Sequence, residues 1–128
     1  MNRVVFDASA ILAIIHQEPG FETLTPELLA NAMLSTVNLV EIQSKLIGQG
    51  WTSDEAWEDA SGTVEEIVPF SSDQARLAGS LITETRAFGL SLGDRACLAL
   101  GLESKAPVYT ADRSWKNLKI GVRIHLIR

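Results

Sequence analysis

Val4-Val5-Phe6-Asp7-Ala8-Ser9-Ala10-Ile11-Leu12-Ala13-Ile14-Ile15-His16 is the stretch whose reading decides the fold. Its first three residues are apolar and predict a strand. Residues 8–16 are almost wholly apolar and predict a buried helix, closed by Glu18-Pro19-Gly20. One charge, Asp7, separates the two elements. A strand that passes straight into a helix is the unit from which a parallel sheet is built, and an acid at that junction lies at the carboxyl edge of the sheet.

The same alternation continues along the chain. Thr25-Pro26-Glu27 reads as a helix cap with proline at the first helical position, predicting a short helix over 26–31. Met33-Leu34-Ser35-Thr36 is strand-like. It leads into a helix in which Leu39, Ile42, Leu46 and Ile47 follow helical spacing, and Gly48 and Gly50 stop it. Thr52-Ser53-Asp54-Glu55 has the Thr-x-x-Glu capping pattern and opens another helix, which carries Trp57. Residues 64–70 read as a short strand. Ser71-Ser72-Asp73-Gln74 caps a helix running toward Arg86, with Ala75, Leu77, Ala78, Leu81 and Ile82 inward. Ser91 starts a helix through Asp94, Val108-Tyr109-Thr110 is a strand, and Val122, Ile124 and Leu126 alternate as the last strand. The expected fold class is α/β, with a mostly parallel central sheet covered by helices on both faces.

Four acids fall where such a fold gathers its ligands: Asp7, Glu41, Asp94 and Asp112. Each except Glu41 also has a purely structural explanation. Asp7 can cap the helix that follows it, Ser91-x-x-Asp94 resembles a capping box, and Asp112 can cap the turn into Arg113-Ser114-Trp115. Glu41, between Val40 and Ile42, gains no such role. Carboxylates brought together raise one another's pKa unless a cation joins them. Hard divalent ions such as Mg²⁺ or Mn²⁺ accept oxygen ligands of this kind and can orient and activate water for phosphodiester hydrolysis. Ser9 and Thr110 are candidate supporting hydroxyls, with ordinary capping or backbone bonding as the competing role. His16 and His125 are assigned structural or surface roles, and no Walker loop, Rossmann glycine pattern or zinc spacing occurs.

A chain of 128 residues with 46% hydrophobic content predicts one globular domain over 1–128, without linker or repeat. The lone Cys97 lies on an apolar helix and has no disulfide partner, which suits a reducing cytosol. The apolar start is too short to span a bilayer and lacks a cleavage pattern, so no membrane partner is expected. The net charge of −5 argues against nucleic acid, but its distribution does not. Residues 1–94 hold 14 acids and 4 bases, whereas 95–128 hold 2 acids and 7 bases. Such a basic segment, from Arg95 to Arg128, can hold a phosphate backbone or can simply be a solvated mixed-charge surface.

Four motifs stand in order along the chain: Val4-Val5-Phe6-Asp7-Ala8-Ser9-Ala10, Ser35-Thr36-Val37-Asn38-Leu39-Val40-Glu41, Leu90-Ser91-Leu92-Gly93-Asp94-Arg95-Ala96-Cys97-Leu98-Ala99, and Tyr109-Thr110-Ala111-Asp112-Arg113. Together they resemble the PIN-domain ribonucleases, and among those the VapC-type toxins of bacterial toxin-antitoxin modules. The resemblance covers essentially the whole chain. It implies a three-layer α/β/α sandwich and a Mg²⁺- or Mn²⁺-dependent endoribonuclease in which Asp7, Glu41, Asp94 and Asp112 form the acidic quartet. Asp7 and Asp94 would be the leading direct ligands. It further implies a cytoplasmic homodimer, structured RNA such as transfer RNA as substrate, and a cognate VapB-type antitoxin that covers the active site and packs on the helical pair. Leu39, Ile42 and Leu46 with Trp51 and Trp57, for which core packing is the default explanation from the residues alone, become through this resemblance the expected antitoxin surface.

Two other classes compete. A phosphoacceptor receiver shares the doubly wound architecture and an acidic Mg²⁺ pocket, but it would want adjacent acids after the first strand and a lysine after a late one. Here Ala8 follows Asp7. A PIN-like module that binds RNA or a partner without cutting is the remaining alternative.

Overall fold

The computed structural model describes residues 2–128. Strand β1 (Val4–Phe6) is fully buried and passes through Asp7 into helix α1 (Ala8–His16). A short helix α2 (Pro26–Leu29), capped by Thr25, precedes β2 (Ala32–Ser35). Ser35 ends that strand and its side chain accepts from the Val37 amide, so α3 (Thr36–Gly48) begins with no loop between. The predicted capping box is formed at α4 (Ser53–Gly62), where Thr52 and Glu55 bond each other's backbone amides. Strand β3 (Glu66–Val68) follows. The second half holds α5 (Ser72–Ser80), α6 (Ile82–Thr85), α7 (Leu92–Ser104), β4 (Val108–Thr110) and β5 (Ile124–Leu126).

The sheet order is β3-β2-β1-β4-β5, and every pairing is parallel. Because side chains alternate across a strand, Val4 and Phe6 face one core and Val5 faces the other. The first core joins β1 and β2 to α1, α2, α3 and α4. The second joins Val5, Met33 and Val108 to α7, with Trp115 and Leu118 from the segment after β4. The result is the expected α/β/α sandwich. β1 and β4 lie side by side at its centre, so Asp7 and the residues after Thr110 emerge together at one edge.

Two expectations are corrected. The helix expected to run from Ser71 toward Arg86 is broken into α5, α6 and a 3-10 turn at Arg86–Phe88. The break follows Gly79-Ser80, where the Leu77 carbonyl takes both the Ser80 hydroxyl at 2.7 Å and the Leu81 amide at 3.1 Å, a side-chain back-bond of the kind that bends helices. Within α5 the inward phase differs as well: Gln74 is buried, its amide donating to Glu103 at 2.9 Å, while Ala75 is exposed.

The second correction concerns the apolar stripe of α3. Leu39, Ile42 and Leu46 are 2%, 0% and 0% exposed, closed against α4 and the sheet, and so offer no surface to a partner. Trp51 packs partly buried on the same core. Of the proposed set only Trp57, 48% exposed, faces outward.

Candidate active site

A cavity of about 200 Å³ opens at the carboxyl edge of the sheet, bordered by Asp7, Ser9, Glu41, Lys45, Asp94 and Asp112. The four acids come from four separate places in the chain: the end of β1, the second turn of α3, the first turn of α7 and the turn after β4. The fold therefore brings together the whole predicted quartet. A larger cavity of about 620 Å³ lies toward the other end of the strands, bordered by Val4, Lys105, Tyr109 and Arg123, with no carboxylate among its described lining residues.

Asp7 is the most constrained of the four. Its Oδ1 accepts from the Ala10 amide and the Ser9 hydroxyl, both at 2.8 Å. Its Oδ2 accepts from Ser9 at 2.9 Å and from Thr110 at 2.6 Å. The side chain thus caps α1 and stands in the cleft at once, so the structural and functional explanations of this residue are compatible. Ser9 also takes the Ala111 amide and Thr110 the Asp112 amide, which locks the ends of β1 and β4 into one network. Burial pushes the Asp7 carboxyl up to about 6, although the bonds from Thr110, Ala10 and Ser9 pull the other way.

Asp94 has the same double character. Its Oδ2 accepts from the Ser91 amide at 2.9 Å while the Ser91 hydroxyl accepts from the Asp94 amide, completing the capping box at α7. Burial raises it above the ordinary aspartate range, the Ser91 bonds lower it, and the charge of Asp112 raises it further. Asp112 caps the turn Arg113–Trp115 by accepting from the Ser114 amide.

Glu41 caps nothing, as its sequence position indicates. The Asn38 amide donates to its Oε1 at 2.7 Å and also to the Gly93 carbonyl at 3.0 Å, tying α3 to the start of α7. Desolvation against this contact raises Glu41 above its ordinary range, the Asn38 bond lowers it, and Asp94 adds to the rise. A Cβ built on Gly93 would overlap the Glu41 carboxylate, so glycine is what lets that carboxylate lie against α7. Among the described residues no group of three or more His, Cys, Asp or Glu side chains is already gathered closely enough to hold a metal ion. The acids are spread around an open cleft. Cys97 is buried behind them, its thiol pushed well above the usual range by burial and by Asp7, Asp94 and Glu41.

Asn38, Gly93 and Lys45 were not singled out from the sequence. Asn38 lies three residues before Glu41 and Lys45 four after it, and these helical neighbours are the signal that would have found two of the three. Several of the C-terminal bases are engaged within the fold. Arg95 donates to the Ala78 carbonyl, Arg113 to the Arg128 carbonyl, and Arg128 pairs with Glu18, while Lys116 and Lys119 are exposed. Among the described residues no helix is long and apolar enough to cross a membrane.

Known structures share this architecture over their full length. A chain of the DNA-bound VapBC complex from Salmonella typhimurium superposes with a TM-score of 0.75 at 15% identity, covering 100% of both chains. Mycobacterium tuberculosis VapC20, described as a sarcin-ricin loop cleaving toxin, gives 0.72 at 17% identity, covering 94% of this chain and 98% of its own. A chain of Rickettsia felis VapBC2, solved with a promoter DNA fragment, gives 0.70 at 19%, covering 94% and 96%. No curated protein matches in sequence. The PIN domain family model matches residues 4–121, from β1 to just before β5 and across all four acids, and the chain belongs to the PIN domain family.

Proposed function

We propose that this chain is a VapC-type toxin, an endoribonuclease that hydrolyses RNA phosphodiester bonds with Mg²⁺ or Mn²⁺ held by the acidic quartet. The observation that carries this reading is the convergence of Asp7, Glu41, Asp94 and Asp112, from four separate segments, on one small cleft. The donor set suits the ion. It consists of carboxylate oxygens, three of them raised by burial, and a divalent cation would offset both their desolvation and their mutual repulsion. Mg²⁺ typically keeps several waters and accepts one or two carboxylates, which does not call for a preformed cluster of three protein ligands.

When bound, the ion supplies Lewis acidity, lowering the pKa of water and offsetting phosphate charge. The chain's own residues supply the rest. Ser9, Ala10 and Thr110 fix both oxygens of Asp7, and Ser91 fixes Asp94, so these two present their carboxylates rigidly and are the leading direct ligands. Glu41 and Asp112 complete the rim, each held by a single short hydrogen bond.

The partner reading rests on the exposed apolar side chains Val40, Ile47, Trp57 and Leu92. Val40 and Leu92 directly precede Glu41 and Gly93 in the chain, the two residues that lie against each other beside the cleft. A cognate VapB-type antitoxin that covers the site would bury them, and a homodimer would carry two such sites. The buried, unpaired Cys97 suits a reducing cytosol.

The test is cleavage of RNA by the purified, antitoxin-free protein, with Mg²⁺ or Mn²⁺ and with chelator, beside Asp94→Asn. Transfer RNA and a sarcin-ricin loop RNA, the latter named for the M. tuberculosis protein, are the first defined substrates. Discrete fragments made only by the wild type with metal support the proposal. Intact RNA with a folded, metal-loaded wild type would make the chain a binding module instead.

A further inference from the structure

Lys45 is the one cation bordering the acidic cleft among the described residues. It lies on α3 one turn beyond Glu41, the i to i+4 order of acid and base that ordinarily pairs on a helix surface. That pair is not made. The Glu41 carboxylate is instead taken by Asn38 and lies against Gly93 at the start of α7. Lys45 forms no ion pair or side-chain hydrogen bond with any described residue, and the ion pairs among the described residues are Arg3 with Glu66 and Arg128 with Glu18. An exposed ammonium is thus held beside four carboxylates without neutralising any of them.

We propose that Lys45 receives a phosphate of the bound RNA strand, next to the one being cut. The inference rests on the RNA-cleavage reading of the same cleft. Its physical ground is charge. Four carboxylates carry a formal −4, and one divalent ion would leave the cleft still negative when a polyanion must enter it. A lysine beside a metal site repels the cation and so is of no use in holding it, but it attracts the incoming phosphate oxygens. Its flexible stem lets the ammonium meet a backbone phosphate whatever the base sequence, so Lys45 would hold the strand without selecting the base.

Single-turnover cleavage of a defined RNA is measured over a range of RNA and salt concentrations for the wild type, Lys45→Gln and Lys45→Arg, with a Mn²⁺ titration of each. Lys45→Gln is expected to raise the RNA concentration for half-maximal rate roughly fivefold and to lower the slope of log affinity against log salt by about 0.7, with the Mn²⁺ requirement unchanged or lowered. Lys45→Arg restores both. An unchanged salt slope in Lys45→Gln overturns the proposal. So does a changed Mn²⁺ requirement without a change in slope, which would make Lys45 a support for the carboxylates. RNA binding by cleavage-deficient Asp94→Asn, with and without Lys45→Gln, separates the two levels. If the wild type cuts and Lys45→Gln is silent, only the role of Lys45 falls. If the wild type neither binds nor cuts RNA, the RNA reading falls and the role of Lys45 falls with it.

Discussion

The Thr110 hydroxyl donates to Asp7 Oδ2 across 2.6 Å, joining the last residue of β4 to the first residue after β1. Both groups are buried, and the bond favours the ionised carboxylate. Thr110→Val keeps the shape and removes the donor. Asp7 should then be harder to ionise, so the acid limb of the pH-rate profile should move to higher pH and the rate at neutral pH should fall by about 10- to 100-fold. Thr110→Ser should recover most of the loss. A Val variant with an unshifted profile would show that the hydroxyl serves packing alone.

Asp7 itself should make the metal-free protein less stable as pH rises. Its carboxyl is raised from 3.8 to about 6 by burial, so the folded state holds the proton more tightly than the unfolded one. The stabilising contribution is complete below pH 3.8 and is lost between there and about 6, a cost on the order of 3 kcal/mol at pH 7. Asp7→Asn retains a side-chain oxygen to cap α1 and removes the charge. In chelator its melting temperature should exceed the wild type's at pH 7 and converge with it near pH 4. Divalent metal should narrow the gap at pH 7 by stabilising the wild type only. A variant that is less stable at pH 7 would refute this account.

Gly93→Ala should separate activity from stability. The added methyl displaces the Glu41 carboxylate, the mobile end of a side chain, rather than backbone. In the first turn of α7, alanine is also the better helix former by up to about 1 kcal/mol. The melting temperature should hold or rise while cleavage falls at least tenfold. Loss of folding would mean that the neighbouring backbone, not Glu41, gives way.

How much of this was legible in the sequence depended on whether the signal was local. The capping boxes at Thr52 and Ser91, the cap at Asp7 and the strand at residues 108–110 are short-range patterns, and each is present in the fold. The gathering of the four acids was legible in part for the same reason: Asp7, Asp94 and Asp112 stand at junctions between elements, Glu41 lies early in the helix that follows β2, and parallel pairing of β1 with β4 brings Asp7 and Asp112 to the same edge. The positions that were missed depend on tertiary packing. Asn38 matters because α7 starts opposite it, and Gly93 because Glu41 folds over it. The break after Ser80 escaped because serine and glycine are tolerated inside helices and the hydroxyl's choice of the Leu77 carbonyl is made only in the fold. The α3 stripe was assigned to a partner through the family resemblance, and helical spacing could not correct this because it reports which residues share a face, not what covers that face.

That last distinction can be measured. Leu46 is fully buried against α4, so Leu46→Ala should leave a cavity and cost about 2–5 kcal/mol, seen as a lower denaturation midpoint. Trp57 is half exposed, and Trp57→Ser should alter stability by less than about 1 kcal/mol. If an antitoxin packs on this helical pair it must use the exposed side chains, so Trp57→Ser should retain cleavage of free RNA and yet be inhibited less strongly by the cognate antitoxin. Equal inhibition of Trp57→Ser and wild type would place the partner elsewhere, with the exposed Val40 and Leu92 as the next residues to substitute.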